Sequence, residues 1–190
     1  MPADLHLLRE PPSENDWSRG PADAPVTLVE YADFQCSHCQ AAHPAIERML
    51  TFFGDRVRFV FRHFPVVSTH PQAERAALAA DAAGRQGRFW EMERRLFEAR
   101  GALADRDLIS YARELGLDTD RFRRDMDDQD LLAKIRRQKM VGLRSGVNGT
   151  PTIYLNGVRH DGPGLPAGEA ALRGEVERLL RAREAGGRNE

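Results

Sequence analysis

Residues 26–39 read VTLVEYADFQCSHC and hold both cysteines of the chain, Cys36 and Cys39. The apolar run from Val26 to Tyr31 predicts a buried strand, and the cysteines follow it with two residues between them. A Cys-x-x-Cys pair after a strand is typical of thiol–disulfide chemistry. If Cys36 opens a helix, the positive end of the helix dipole stabilises its thiolate. We expect a reactive pair rather than a structural crosslink, because a disulfide closing so small a loop constrains the unfolded chain only weakly.

The composition favours one globular unit with no charged macromolecular partner. A chain of 190 residues with 41% hydrophobic residues can bury a core as one domain, or as one domain with an insertion. A net charge of -1, from 28 basic and 29 acidic residues, gives no field that would attract nucleic acid or an anionic membrane. All basic residues except Lys134 and Lys139 are arginine, which indicates a GC-rich bacterial genome.

The first ten residues lack a basic segment followed by an apolar stretch long enough for a secretion signal. No run approaches the roughly 20 apolar residues of a membrane span. We therefore expect a cytoplasmic location, or a periplasmic or extracellular one if a leader has been removed. In a reducing compartment a lone Cys-x-x-Cys is catalytic, redox-sensing or metal-binding.

Hydrophobic periodicity divides the chain into five parts. A second strand is predicted at Val57–Phe61, and Asn156-Gly157 between two short apolar runs predicts a hairpin. The segments between them have helical periodicity, and Asp105 is expected to cap one of these helices. The parts are an irregular N-terminal arm (1–25), a β-α-β half (26–63), an inserted helical domain (64–147), a hairpin-and-helix half (148–183) and a charged tail (184–190).

Several separated motifs resemble the DsbA-like branch of the thioredoxin superfamily. They occur in the family's order and span roughly residues 20–180. The resemblance implies an α/β class, namely a thioredoxin fold with an inserted all-helical domain, and a dithiol–disulfide oxidoreductase that acts on protein or peptide thiols. The motifs are residues 26–39, Phe61-Arg62-His63-Phe64-Pro65, Gly87-Arg88-Phe89-Trp90 and Gly146-Val147-Asn148-Gly149-Thr150-Pro151-Thr152.

The resemblance also implies roles for the residues of the cysteine motif. Cys36 would be the exposed nucleophile and Cys39 the more buried resolving thiol. Ser37 and His38 lie between them and would tune the couple, His38 by stabilising the Cys36 thiolate. The strong oxidant of the family has proline where this chain has Ser37, so the reaction type carries over while the strength of oxidation does not.

Three further residues are candidates for the site. Glu30 lies six residues before Cys36 in a strand expected to be buried, where a carboxylate is costly without a role. The matching acid of the superfamily exchanges a proton with the second cysteine; the alternative is an exposed strand end. The resemblance implies a cis bond between Thr150 and Pro151, with Pro151 against the disulfide and Thr150 offering backbone groups to an extended substrate.

The sequence leaves two other functions open. One is a glutathione transferase or isomerase of the kappa type on the same fold, although such enzymes do not need a resolving thiol. The other is a zinc-binding or redox-sensing interaction module, with a zinc site completed by His38, His43, His63 or His70; otherwise His43 and His63 are interpreted as packed or solvated. For the oxidoreductase we expect no metal or organic cofactor, a redox partner that recycles the pair, and a monomer, with a dimer as the alternative.

Overall fold

A five-stranded mixed sheet forms the centre of the computed structural model, which describes residues 6–186. Its strands are β1 (Trp17–Arg19), β2 (Val26–Ala32), β3 (Val57–His63), β4 (Thr152–Leu155) and β5 (Val158–Arg159), in the order β1-β3-β2-β4-β5. β2 and β3 are parallel, and the other neighbours are antiparallel. The ends of the predicted arm and tail, residues 1–5 and 187–190, lie outside the described residues.

The central strands β2 and β3 are buried at six of their seven positions each, because both faces of the sheet are covered. Helix α1 (Ser37–Phe53) connects them and buries a face that includes Ala42 and Ile46. It ends before Gly54, whose φ of 52° is in the region that favours glycine. This β-α-β unit places the cysteines at the carboxyl end of β2.

The remaining helices are α2 (Ala73–Gly84), α3 (Phe89–Glu98), α4 (Asp105–Glu114), α5 (Thr119–Met126), α6 (Gln129–Arg144) and α7 (Glu169–Gly186). Helices α2 to α6 lie between β3 and β4, and α7 follows the β4–β5 hairpin. The predicted α/β fold with inserted helices is confirmed. One apolar cluster contains Phe61 of the sheet, Leu96 of α3 and Leu108 of α4, so the inserted helices share their core with the sheet.

The N-terminal arm, predicted to be mostly irregular, contains one short strand at residues 17–19 that the sequence did not indicate. β1 pairs with β3, with Trp17 opposite Phe61 and Arg19 opposite Phe59. The Trp17 ring stacks on Phe89 at 4.4 Å, and its Nε1 donates to Asp81 Oδ1 over 2.5 Å. Three residues are too short for a periodic pattern, and their pairing depends on contacts far along the chain.

The prediction that Asp105 caps a helix was wrong, because Ala104 is the N-cap residue of α4. Asp107 accepts a hydrogen bond from the Ala104 backbone N–H over 3.1 Å, which satisfies the helix end. The Asp105 carboxylate instead binds the guanidinium of Arg75 on α2, at 2.8 and 3.1 Å. A long-range ion pair thus replaces the local capping bond that the sequence suggested.

Candidate active site

Cys36 lies where the chain leaves the loop after β2 and enters α1. It is the N-cap residue, with φ -72° and ψ 120°, and its carbonyl accepts the first helical hydrogen bond from Gln40 over 3.0 Å. Its own N–H donates to the Asp33 carbonyl over 3.1 Å. The sulfur is therefore at the N-terminal end of a 17-residue helix, where the dipole and unpaired N–H groups stabilise negative charge.

The carboxylate of Asp33 holds this loop in place. Its Oδ1 accepts from the Gln35 N–H, and its Oδ2 accepts from the Val66 N–H and contacts His70 Nδ1, each at 2.8 Å. Asp33 is buried, and these bonds connect the cysteine loop to the segment after β3. The sequence analysis assigned no role to Asp33, although a polar residue directly after a buried strand was a usable signal.

The two thiols have opposite electrostatic surroundings. The hydrogen bond from Cys39, helped by a bond from Thr150 and the backbone N–H groups of Cys39 and His38, overcomes burial and lowers the pKa of Cys36 from 9.0 to about 4. Burial raises the pKa of Cys39 well above 9.0, with further contributions from the Cys36 hydrogen bond and the charge of Glu30. Cys36 is 6% exposed and Cys39 is fully buried. The arrangement provides one stabilised thiolate and one protonated partner.

Glu30 lies in the middle of β2, opposite Phe61 of β3 and Ile153 of β4. It is 2% exposed, so it is not at an exposed strand end. Burial, followed by repulsion from Glu93, raises the pKa of Glu30 from 4.5 to about 8. A carboxyl group with this pKa, close enough to act on Cys39 electrostatically, can accept or return a proton near neutral pH.

Thr150 and Pro151 precede β4 and face the cysteine loop. The Cys36 Sγ lies 3.4 Å from the Thr150 carbonyl oxygen, and the bond between Thr150 and Pro151 is cis. The Thr152 hydroxyl donates to the Gly149 carbonyl over 2.7 Å and fixes the turn. Thr150 and Pro151 also line a cavity of about 370 Å³ together with His38.

The residues between the cysteines are at the surface. Ser37 and His38 are both exposed, and Ser37 is the first residue of α1. His38 contributes a backbone N–H bond to Cys36, while its side chain lines the cavity with Thr150 and Pro151. The site therefore has an exposed rim above two buried sulfur atoms. The expectation that Cys36 is exposed was wrong, although Cys39 is the more buried of the two thiols.

The other histidines named in the sequence analysis, His43, His63 and His70, are each paired with an acidic side chain. His63 Nε2 is 2.9 Å from Asp81 Oδ1, and His43 Nδ1 is 3.3 Å from Glu93 Oε1. Within residues 6–186, no group of three or more His, Cys, Asp and Glu side chains is arranged to hold a metal ion. Glu93 was missed by the sequence analysis, although it lies between Phe89 and Phe97 on the apolar face of α3, where an acid is unexpected.

A family model described as Thioredoxin matches residues 12–170. Among curated proteins, the Na⁺/H⁺ antiporter NhaA 1 of Salinispora arenicola is 46% identical over 149 residues, which is 78% of this chain and 23% of that protein. The Na⁺/H⁺ antiporter NhaA 1 of Mycolicibacterium vanbaalenii is 38% identical over 98% of this chain and 29% of its own length. The chain thus spans less than a third of these relatives.

Solved structures share the fold over nearly the whole chain. A thioredoxin-like oxidoreductase from Silicibacter pomeroyi has a TM-score of 0.78 and 28% identity, covering 89% of this chain and 94% of that one. The thiol-disulfide exchange protein alpha-DsbA2 from Wolbachia pipientis has a TM-score of 0.73 and 20% identity, covering 87% of this chain and 88% of its own. A periplasmic thioredoxin-like protein from Salmonella enterica serovar Typhimurium has a TM-score of 0.72 and 21% identity, covering 87% and 90%.

These comparisons correct the predicted location. The prediction of a cytoplasmic protein was wrong, because the curated relatives are named as Na⁺/H⁺ antiporters and one structural neighbour is described as periplasmic. In the part of the chain that the structure describes, none of the helices combines the length and apolar character needed to cross a membrane.

Proposed function

Because the chain belongs to the thioredoxin family, we propose that it is a thiol–disulfide oxidoreductase that exchanges disulfides with protein or peptide thiols through Cys36 and Cys39. The observation that carries the proposal is the contrast between the two sulfur atoms. Cys36 is a helix N-cap residue with a pKa lowered to about 4, and Cys39, one turn further on, is buried with a raised pKa. Disulfide exchange requires an attacking thiolate and a second thiol that completes the reaction.

In the oxidising direction, a substrate thiolate attacks Cys36 of the closed disulfide. A bond forms between the substrate sulfur and Cys36, the bond between Cys36 and Cys39 breaks, and Cys39 leaves as a thiolate that takes a proton. A second substrate thiolate then attacks the substrate sulfur of this mixed disulfide and releases Cys36. The low pKa of Cys36 makes it a good leaving group in this last step.

The electrostatics favour donation of disulfides over reduction. A stabilised Cys36 thiolate lowers the free energy of the reduced protein, so its disulfide becomes a stronger oxidant. An oxidant of this kind suits an oxidising compartment outside the cytoplasm. We propose that no metal or organic cofactor is needed, since the electrons move between sulfur atoms, and that a redox partner reoxidises the pair.

The surrounding residues have proposed roles that follow from their positions. Glu30 exchanges the proton of Cys39, while Ser37 and His38 tune Cys36 from the first turn of α1. Thr150 and Pro151 hold the substrate chain beside Cys36, because the Thr150 carbonyl lies 3.4 Å from its sulfur and the backbone there leads into the sheet. The antiporter activity of the relatives is not part of the proposal.

The proposal is tested by mixing the oxidised protein with a reduced peptide that contains two cysteines. Alkylation of free thiols and mass spectrometry then follow the transfer of the disulfide to the peptide. The reduction potential, measured in glutathione buffers, is expected nearer the roughly -120 mV of a strong oxidant than the roughly -270 mV of thioredoxin. If Cys36 and Cys39 form no reversible disulfide, the proposed function is wrong.

A conjugation assay on the same protein distinguishes a thiol–disulfide oxidoreductase from a kappa-type glutathione transferase. Full burial of Cys39 beside Cys36 favours an exchange enzyme, because a transferase has no use for a second thiol in this position. With glutathione and an electrophile such as 1-chloro-2,4-dinitrobenzene, we expect no conjugation above the uncatalysed rate. Conjugation that survives replacement of Cys39 would favour the transferase.

A further inference from the structure

Helices α1 and α3 and the sheet enclose a group of ionisable side chains that the core does not need for packing. Glu30 and Glu93 are each 2% exposed, and His43 is 8% exposed. Burial of carboxylates is costly unless they are paired or used. These three side chains come from three different elements, β2, α3 and α1.

These three side chains lie near the buried thiol of Cys39. Cys39 and His43 are four residues apart in α1 and both belong to its buried face, so their side chains project from the same side of the helix, one turn apart. His43 Nδ1 lies 3.3 Å from Glu93 Oε1. The charge of Glu93 raises the pKa of Glu30, and the charge of Glu30 raises the pKa of Cys39, so each group is near enough to the next to affect its ionisation.

His43 is the member of this group that reaches an open space. It lines a cavity of about 640 Å³ between α1 and α3, which we call the α1–α3 cavity; its lining also includes Gln40, Glu47, Arg94, Glu98 and Arg100. The ring of His43 stacks on Phe97, another lining residue of this cavity, with centroids 4.8 Å apart, and its Nδ1 contacts Glu93. A neutral imidazole can accept a proton on one nitrogen and release one from the other.

We propose that Glu93 and His43 carry the proton of Cys39 between Glu30 and the solvent of the α1–α3 cavity. The inference rests on the proposed function and adds residues to it. When Cys39 attacks a mixed disulfide, its proton passes to Glu30, a bond forms between Cys39 and Cys36, and the bond from Cys36 to the outer sulfur breaks with release of a thiolate. Glu93 and His43 then carry the proton from Glu30 to the solvent of the cavity, which returns Glu30 to its ionised form. When Cys39 is instead released as a thiolate, the same groups carry a proton inward to it through Glu30.

Charged side chains on α1, α3 and β1 surround His43. Glu47 lies four residues after it on α1 and is held by the guanidinium of Arg19 on β1, with one contact of 3.2 Å. Burial raises the pKa of Glu47, but the hydrogen bond and charge of Arg19 overcome this and lower that pKa, so the Glu47 carboxylate stays ionised. Glu93 faces His43 from α3, and Glu98 and Arg100 lie further out at the cavity.

The test separates attack by Cys36 from attack by Cys39. The reduced protein is mixed with 5,5′-dithiobis(2-nitrobenzoate) in a stopped-flow instrument. Cys36 attacks first and releases one coloured thiolate at a rate that depends on reagent concentration. Cys39 then attacks the mixed disulfide and releases the second thiolate at a rate that does not depend on reagent concentration, because this step is intramolecular. A Cys39→Ser variant identifies the second phase by removing it.

For His43→Ala we expect an unchanged first phase and a second phase slowed by on the order of 10- to 100-fold, at or below the lower end of acid–base contributions. Free imidazole, which can enter the enlarged cavity, should restore the second phase in a concentration-dependent way. The matched control is His6→Ala, since His6 is a half-exposed histidine that pairs with Asp161. It should behave like the unaltered protein with and without imidazole. Glu93→Gln keeps the side-chain shape and should slow the second phase without recovery by imidazole.

The outcomes distinguish this inference from the proposed function. An unaltered protein without a second phase would contradict the proposed function itself. Two normal phases in both His43→Ala and Glu93→Gln would overturn the proton route alone. Equal slowing of both phases in His43→Ala, with no recovery by imidazole, would mean that His43 supports the structure of α1, and this result also overturns the route.

Discussion

Cys36 and Cys39 are one helical turn apart, yet their sulfur atoms have different surroundings. Cys36 is stabilised as a thiolate at the start of α1, whereas burial, with a smaller contribution from the charge of Glu30, raises the pKa of Cys39. We expect Cys36→Ala to abolish disulfide exchange, because the remaining thiol, Cys39, is fully buried and its raised pKa keeps it protonated. Cys39→Ala should form mixed disulfides that accumulate, since no resolving thiol remains. Mass spectrometry after incubation with a disulfide-bonded peptide distinguishes the two variants, and equal turnover by both would contradict the assignment of roles.

Glu30 gives a second prediction because its pKa is raised from 4.5 to about 8 by burial and by Glu93. An acid with a raised folded pKa contributes stability below its unfolded pKa, and that contribution is lost as the pH rises through the folded pKa. Glu30→Gln, which does not titrate, should therefore become progressively more stable than the unaltered protein between pH 4.5 and about 8. At roughly 1.4 kcal/mol per pKa unit, the rise from 4.5 to about 8 corresponds to a gain in the free energy of unfolding of up to about 5 kcal/mol at pH 8.

Urea unfolding of the reduced proteins at several pH values measures this difference. The matched variant is Glu91→Gln on the exposed side of α3, which should show no gain between pH 5 and 8 because the pKa of Glu91 is lowered by Arg88. A difference between Glu30→Gln and the unaltered protein that stays constant over the range would mean that Glu30 does not titrate there. The same variant should slow the attack of Cys39 on a mixed disulfide.

The sequence identified the residues whose role follows from local spacing. The Cys-x-x-Cys pair and an acid inside an apolar strand were evident from residues 26–39 alone, and their roles stay predictions until measured. Asp33 and Glu93 were not found, because their partners His70 and His43 come from other elements. A lone acidic residue on a helix has no local signature of such a pairing.

At the scale of elements, helix α6 is held against the sheet by a close approach at Gly142. A Cβ atom at this position would lie 2.9 Å from Phe64 Cδ2 and 2.9 Å from Tyr31 Cε1, closer than packed carbon atoms allow. We expect Gly142→Ala to destabilise the protein by about 1–3 kcal/mol, because both rings are buried and have little room to move.

Gly174 provides the matched control for this prediction. It lies in α7, where a Cβ atom would meet nothing within 4 Å, and alanine is the better helix former. Gly174→Ala should therefore stabilise the protein by about 0.5–1 kcal/mol. Thermal unfolding of both variants measures the contrast, and stabilisation by Gly142→Ala would show that α6 can move away from the sheet.

Periodicity predicted the long elements and failed for the short ones. Strands β2 and β3 and helix α1 have enough apolar residues in register for their type to be read directly, and the hairpin follows from Asn156 and Gly157, which have positive φ angles of 47° and 83°. β1 has three residues, and its pairing with β3 depends on Trp17 packing between α2 and α3. Such an element is fixed by tertiary contacts that no local pattern contains.

At the scale of the whole molecule, the oxidation state of the cysteines should change stability in a pH-dependent way. The folded reduced protein holds Cys36 with a pKa of about 4 against 9.0 for an unperturbed thiol. A group with a lowered folded pKa contributes stability that is fully present above its unfolded pKa and is lost as the pH falls through the folded pKa. The oxidised protein has no titrating thiol, and its disulfide closes too small a loop to add much stability.

We therefore expect the reduced protein to be the more stable form at neutral and alkaline pH, with an advantage that grows from pH 4 to pH 9. Thermal unfolding of both forms across this range measures the gap. Cys36→Ser in reducing buffer should lose the part of the pH dependence that comes from Cys36, because serine does not ionise, and should keep the part that comes from Glu30. The gap is linked to the reduction potential by a thermodynamic cycle, since whatever stabilises the folded thiolate makes the folded disulfide easier to reduce. An oxidised form that is more stable throughout would contradict the lowered pKa of Cys36 and, with it, the proposed direction of disulfide transfer.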